Sequence, residues 1–213
     1  MPFTFKLRNL FGKRDKAAPQ VTVAAPSHIP IVKLDQSRVT TAVEAEIKST
    51  LRDVPEIGAG ELASAYGAAL QSVRAGRDLK ILHDALIGLG LTKRRASEVA
   101  ILVNNRATSL MNREQQASLG ITKAVWLYSG APCITSSGTP SLEDERRNTD
   151  HLAANGKSYV IVKGMLMSGR RVWPGQDPGC KCVSKSVIPG FDLLCILALR
   201  AGLAQQGRPT RLA

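Results

Sequence analysis

Apolar residues recur at every third or fourth position between residues 35 and 120, which is the spacing of one buried helix face. The segments DVPEIGAGE, RAGRD and GLGLTK interrupt that spacing with proline or glycine, so they predict the breaks between helices. The clearest helix should begin after Thr92, a candidate N-cap, and end at Gly120. We expect Asn105 to face outward, away from an apolar stripe formed by Ala96, Val99, Ala100, Val103, Ala107, Leu110, Met111 and Ala117.

The pattern changes over residues 121–190. ITKAVWLYSG and KSYVIVKGMLM are rich in β-branched and aromatic residues and predict strands, whereas TSSGTPSLEDERRNTD between them is polar. The Pro/Gly-rich segment WPGQDPGCKC follows the second predicted strand. We therefore expect an α+β protein in which an N-terminal helical region, residues 35–120, precedes a small α+β module with a few short strands.

Extended arms flank these two regions. Residues 1–34 combine a basic amphipathic opening with a Pro/Ala-rich linker, and residues 191–213 combine an apolar helix with a basic tail. The apolar helix has no polar face, so it needs cover from this chain or from a partner. No apolar run approaches the ~20 residues of a membrane span. The candidate contacts of the basic arm with a partner or with DNA are Lys6, Arg8, Lys13, Arg14 and Lys16.

The charge of the chain favours anionic partners. Its formal net charge is +12, which attracts nucleic acid or acidic protein surfaces. Aromatic residues make up only 4% of the chain and do not alternate with the basic ones, so any DNA binding should be to the backbone. The basic opening lacks the apolar run of a secretory signal, and we therefore expect reduced thiols in a cytosol.

The four cysteines pose the main chemical question. In an extended segment Cys180 and Cys182 project to one face with Lys181 opposite, so the two thiols can share a neighbour. With Cys133 and His151 they would complete a tetrahedral Cys3His set for zinc. The spacing differs from familiar zinc knuckles, and it favours thiols that pack as small hydrophobic groups while His151 caps a helix or binds a loop carbonyl.

A catalytic interpretation uses some of the same residues. His151 could act as a general base beside Asp150 or Asp144, or one cysteine could act as a nucleophile. The module offers no second histidine and no phosphate cradle, so this interpretation is the least favoured. The sequence predicts no catalytic and no cofactor-binding residue.

Several motifs follow one another between Leu91 and Pro189. A long helix precedes a strand that contains a tryptophan, and then comes an Asp-x-Arg-x-x-x-x-His segment with Asn-Gly four residues on. A proline-rich turn with Cys-x-Cys ends the series. The residues that carry these motifs are Trp126, Asp144, Arg146, His151, Asn155, Gly156, Pro178, Cys180 and Cys182.

This order resembles the head-morphogenesis domain of tailed bacteriophages, the family of the phage Mu F protein and related minor head proteins. Asn148 stands where the family signature has a second arginine, and the segment ITSSGTPSLE before the signature resembles an insertion. Cys133 is a feature of this chain more than of the family. The resemblance covers nearly half of the chain.

The resemblance implies a non-enzymatic minor structural protein of the phage head, acting in head morphogenesis and in DNA packaging or delivery. Its expected partners are the portal, the major coat protein and the backbone of packaged DNA, with several copies per virion. We expect it in the host cytoplasm during assembly and in the virion afterwards. The alternatives are a stand-alone nucleic-acid-binding protein and, less favoured, a metal-dependent hydrolase or toxin.

Overall fold

A computed structural model describes residues 35–135 and 139–188. Its helices precede most of its strands, so the predicted α+β class is confirmed. The predicted basic arm and C-terminal apolar helix lie outside the described residues. Within the described ranges no helix combines the length and the apolar character that a membrane crossing requires.

Four helices follow a short 3-10 turn at Gln36–Arg38. The side chains of Thr40, Asp78 and Thr92 cap the first, third and fourth of these helices by accepting hydrogen bonds from backbone N–H groups. The cap at Thr92 confirms the predicted start of the longest helix. The helices are α1 (Thr41–Arg52), α2 (Leu62–Arg74), α3 (Leu79–Gly88) and α4 (Lys93–Ser118).

The helices bury an aliphatic core in which alanines let the backbones approach closely. Asn104 crosses this core from α4 and donates a 3.1 Å hydrogen bond to Ser72 of α2. The predicted stripe on α4 is correct through Met111 except at Leu110, which is only partly buried. It was wrong at Ala117, which is exposed, while Gln116 is buried because the strands that follow cover that side of the helix.

The remaining chain forms two antiparallel sheets and one helix. Strands β1 (Lys123–Leu127), β2 (Ser158–Val160) and β5 (Val183–Val187) form a sheet in the order β2-β1-β5. Strands β3 (Met165–Met167) and β4 (Arg170–Val172) form a hairpin.

KSYVIVKGMLM was predicted as one strand, and this was wrong. It is divided into β2 and β3 by a turn that ends at Gly164, whose φ is +72°. A side chain at Gly164 would lie 2.9 Å from the Val172 carbonyl oxygen, so the turn requires glycine. The strands β4 and β5 were not predicted.

The polar stretch before His151 carried no secondary-structure prediction. It contains α5 (Leu142–Ala153), which starts with a capping box between Ser141 and Asp144. The Ser-x-x-acid spacing was a usable helix signal. The sheet, the hairpin and α5 enclose a second core around the fully buried Trp126.

Helix α4 packs into the first core and also contacts the second part of the chain. The face opposite the aliphatic core holds the Pro/Gly-rich segment: Arg106 donates to the Gln176 carbonyl at 2.9 Å and Ser109 to the Pro174 carbonyl at 2.7 Å. Asn105 was predicted to face solvent, and this was wrong, because it is half-buried and donates to the carbonyl of Cys180.

Candidate metal centre

Cys133, His151, Cys180 and Cys182 form one buried cluster that could hold a metal ion. Cys133 lies in the loop after β1, His151 in the last turn of α5, and the Cys-x-Cys pair in the segment leading into β5. Their ligand atoms all lie within 4.8 Å of one another, and none of the four residues is more than 5% exposed. The fold therefore brings together every residue of the predicted Cys3His set.

The distances suit a tetrahedral ion. The sulfur atoms of Cys133 and Cys182 are 3.6 Å apart, and Cys182 Sγ lies 3.8 Å from His151 Nδ1. Tetrahedral zinc with Zn–S bonds of ≈ 2.3 Å places its sulfur ligands about 3.8 Å from each other. Lys181 is exposed between its two buried neighbours, as the predicted alternation requires.

Gly179 allows the two distant segments to meet. Its φ is +69°, and a Cβ atom there would lie 2.2 Å from the carbonyl oxygen of Ile134. Contacts that short do not occur, so only glycine fits while the backbone next to Cys133 touches the backbone next to Cys180.

Two residues of α5 hold the Cys133 loop. The side-chain oxygen of Asn148 accepts hydrogen bonds from the Cys133 backbone N–H and from the Tyr128 hydroxyl, both at 2.8 Å. Arg147 donates to the Cys133 carbonyl at 3.3 Å. The asparagine that departs from the family signature therefore has a structural role of its own.

Arg147 was missed by sequence reasoning. The matched signature residue Arg146 is exposed, whereas Arg147 is buried and forms an ion pair with Asp144. Asp144 also accepts hydrogen bonds from Thr135 and Ser141, so it connects the Cys133 loop to the start of α5. Helical periodicity would have found Arg147, because it lies four positions before His151 on the same face.

The orientation of His151 depends on a carboxylate that sequence reasoning also missed. His151 Nε2 lies 3.2 Å from Asp177 Oδ2, which leaves Nδ1 facing the sulfur atoms. Arg170 in turn binds both oxygens of Asp177, at 2.8 and 2.6 Å. Histidine ligands of metals commonly donate their second N–H to a carboxylate, which fixes the ring.

Contacts within the cluster shift the pKa values of its residues in different directions. Hydrogen bonds from Cys180 and Cys182 lower the pKa of Cys133, while those with Cys133 and Cys180 raise the pKa of Cys182. Burial opposes charge on His151, but hydrogen bonds with Asp177, Cys133 and Cys180 raise its pKa to about 11. Several thiolates are costly together in a buried site unless a cation compensates their charge.

A backbone donor adds to the environment of the thiols. The N–H of Gly175 points at Cys180 Sγ over 3.3 Å, and the N–H of Cys180 itself bonds to the Asp177 carbonyl at 3.0 Å. Both bonds fold the Pro/Gly-rich segment back on itself. Donors directed at sulfur favour the thiolate, which is the form that binds metal.

The geometry does not support the acid–base pairs of the least favoured, catalytic interpretation. Asp144 bonds to Arg147, Ser141 and Thr135, and Asp150 accepts a hydrogen bond from Ser168, so neither carboxylate contacts His151. His151 was also expected to cap a helix or bind a loop carbonyl, and instead its partners are Asp177 and the thiols.

The other motif residues surround the cluster. Trp126 lies edge-on to the His151 ring, with the ring centroids 5.1 Å apart. Asn155 accepts from the Tyr128 N–H, and Gly156, with φ +76°, donates to the Trp126 carbonyl. Pro178 directly precedes Gly179 in the turn. The basic arm residues lie outside the described ranges.

Comparison of the chain with protein-family models, with curated proteins and with solved structures finds no match.

Proposed function

We propose that this chain is a structural, non-catalytic protein whose β-rich module is closed by a Cys3His zinc ion. The observation that carries the proposal is the buried set of four ligand atoms within 4.8 Å. Four protein ligands complete a tetrahedral zinc shell, whereas catalytic zinc sites keep one position for water or substrate. The presence of four protein ligands also argues against the alternative function of a metal-dependent hydrolase.

We further propose that the protein acts as a minor head protein of a tailed bacteriophage. Its support is the resemblance of the motif order, together with the fact that several of the motif residues lie in or beside one cluster. Trp126 contacts His151, the Asn155–Gly156 turn pairs with β1, and the Cys-x-Cys pair supplies two of the four ligand atoms. The net charge of +12 suits a protein that works beside packaged DNA.

Zinc binding is tested with full-length protein purified without chelator. We expect one zinc ion per chain, lost in His151→Ala, and a zinc affinity about 10–100-fold weaker in Asp177→Asn. His83→Ala is the matched control, because His83 lies on α3 outside the cluster. Cys182→Ser should also lose the ion. A wild-type protein without metal that is as stable as the zinc-treated protein would contradict the proposal.

The head function is tested by co-sedimentation. The full chain is mixed separately with procapsids, isolated portal and isolated coat protein, and we expect it to sediment with procapsids and with at least one isolated component. Absence of co-sedimentation with all three, combined with tight salt-sensitive DNA binding, would favour the stand-alone nucleic-acid binder.

A further inference from the structure

A groove of about 370 Å³ runs between α4 and the segment from Cys180 to Ser184. It lies outside the cluster of ligand atoms, although Cys180 and Cys182 form part of its floor. Its volume is within the range of ligand sites. It is open on one side, so a chain segment could lie in it without the protein unfolding.

The groove is positively charged. Arg77, Arg113 and Lys181 line it, and none of the residues that line it is acidic. Arg77 is held over the groove by a 2.6 Å hydrogen bond to Asn105. A positively charged lining lowers the free energy of a bound carboxylate and raises its rate of association.

Arg113 is the least exposed of these three cations. Its guanidinium stacks on the Trp173 ring at 4.2 Å from the centroid, and Glu46 and Glu114 attract it without forming an ion pair within the described residues. Its Nε is buried without a hydrogen-bond partner there. A partly buried cation without an ion pair is costly, and an incoming carboxylate would offset that cost with a charge-assisted hydrogen bond.

The neutral lining suits a peptide backbone. Asn105, Ser109, Asn112 and Gln116 line one side of α4, and internal hydrogen bonds hold each of these side chains in place. The buried Gln116 side chain has an Oε1 atom without a partner among the described residues. The only aromatic residue of the lining, Tyr159, is 6% exposed, so the groove offers no platform on which nucleic-acid bases could stack.

We infer that this groove binds an acidic, extended peptide segment of a partner protein. The carboxylates of the segment lie against Arg113, Lys181 and Arg77, and its backbone lies against the polar side chains of α4. The inference goes beyond the proposed function and does not require that the chain be a head protein.

Fluorescence anisotropy with zinc-loaded full-length protein tests this inference. The probes are a short labelled peptide of alternating Glu and Ser, the same peptide with Gln for Glu, and a labelled oligothymidine of equal charge. We expect the Glu peptide to bind with an affinity that falls with salt, and the other two probes to bind at least tenfold more weakly.

Charge-neutral variants then locate the site. Arg113→Gln should weaken binding of the Glu peptide about tenfold, and Lys181→Gln, whose side chain is exposed, a few-fold. Lys163→Gln, in an exposed turn outside the groove, removes the same charge and should change nothing. If Arg113→Gln does not fold, Lys181→Gln still tests whether the peptide binds in the groove.

Three outcomes would overturn the inference. In the first, the Glu and Gln peptides bind equally or not at all. In the second, Lys163→Gln weakens binding of the Glu peptide as much as Lys181→Gln does. In the third, oligothymidine binds as tightly as the Glu peptide and loses affinity in the groove variants. The last outcome would assign the groove to a nucleic-acid backbone instead.

Discussion

Single residues decide whether the metal cluster can form at all. Gly179 is the sharpest case, because its positive φ and the Ile134 carbonyl both exclude a side chain. The cluster needs this contact, since the thiols of Cys133 and Cys182 come from segments 49 residues apart. Formation of the cluster therefore requires the residues that let the backbones meet as much as it requires the ligands.

Gly179→Ala should therefore destabilise the module by more than about 3 kcal/mol, because the backbone segments must separate to admit the methyl group. We expect zinc to be lost or bound much more weakly. Gly175→Ala is the matched control: its φ is +83°, yet its nearest neighbouring atom lies at an ordinary 3.5 Å. Denaturant unfolding and zinc content measure both effects, and equal losses in the two variants would contradict the explanation.

Helix α5 is the element that organises the site. Its first turn holds the Asp144–Arg147 pair, the next turn holds Asn148 under the Cys133 loop, and its last turn carries His151. A rigid helix keeps these groups in fixed relation, which a loop of the same length would not. The capping box sets where the helix begins and so which side chains face the cluster.

The Asp144 carboxylate should make stability depend on pH. Burial raises its pKa, but hydrogen bonds from Ser141 and Thr135 lower it overall below the ordinary value. Its contribution is therefore present above the unfolded pKa of ≈ 3.9 and is lost as the pH falls through the lower folded value.

Asp144→Asn should accordingly cost about 3 kcal/mol near pH 7, because the buried Arg147 keeps only the exposed Glu143 carboxylate, at 4.0 Å, as a counter-ion. The difference from the wild type should shrink toward pH 3. Glu145→Gln, an exposed neighbour on the same helix, is the control. The free energy of unfolding, measured across this pH range, would contradict the assignment if the difference stayed constant.

At the scale of the whole molecule, the two cores differ in what stabilises them. The helical core is aliphatic, whereas three of the ten buried residues in the second core are the cysteine ligands. A small core of that kind commonly needs a metal ion for stability. Helix α4 contributes buried side chains to the first core only, and hydrogen bonds join it to the second part of the chain, so the first core can remain folded while the second opens.

Removing zinc with a chelator should therefore unfold the second core before the first. We expect the emission of the fully buried Trp126 to shift to longer wavelength while most of the helical far-ultraviolet signal remains. His151→Ala should show the same emission without chelator, and His83→Ala should behave as the wild type. Simultaneous loss of both signals would show that the two cores form one cooperative unit.

Features that depend on neighbouring residues could be predicted from the sequence. The helical spacing up to Met111, the Thr92 cap, the β1 strand and the alternation around Lys181 are local, because each follows from residues within a few positions. The candidate ligands could also be named from residue type alone. The familiar spacings of zinc sites argued against them, since those spacings describe ligands held by short local loops.

The four ligands meet only because the tertiary structure brings distant segments together. The Cys-x-Cys pair reaches Cys133 through the contact of Gly179 with Ile134, and it reaches His151 through the docking of α5. Asp177, Arg170 and Arg147 gain their roles in the same way, from partners that the fold supplies. Contacts between distant segments depend on how helices and strands pack, and packing is a property of the whole chain that no local pattern contains.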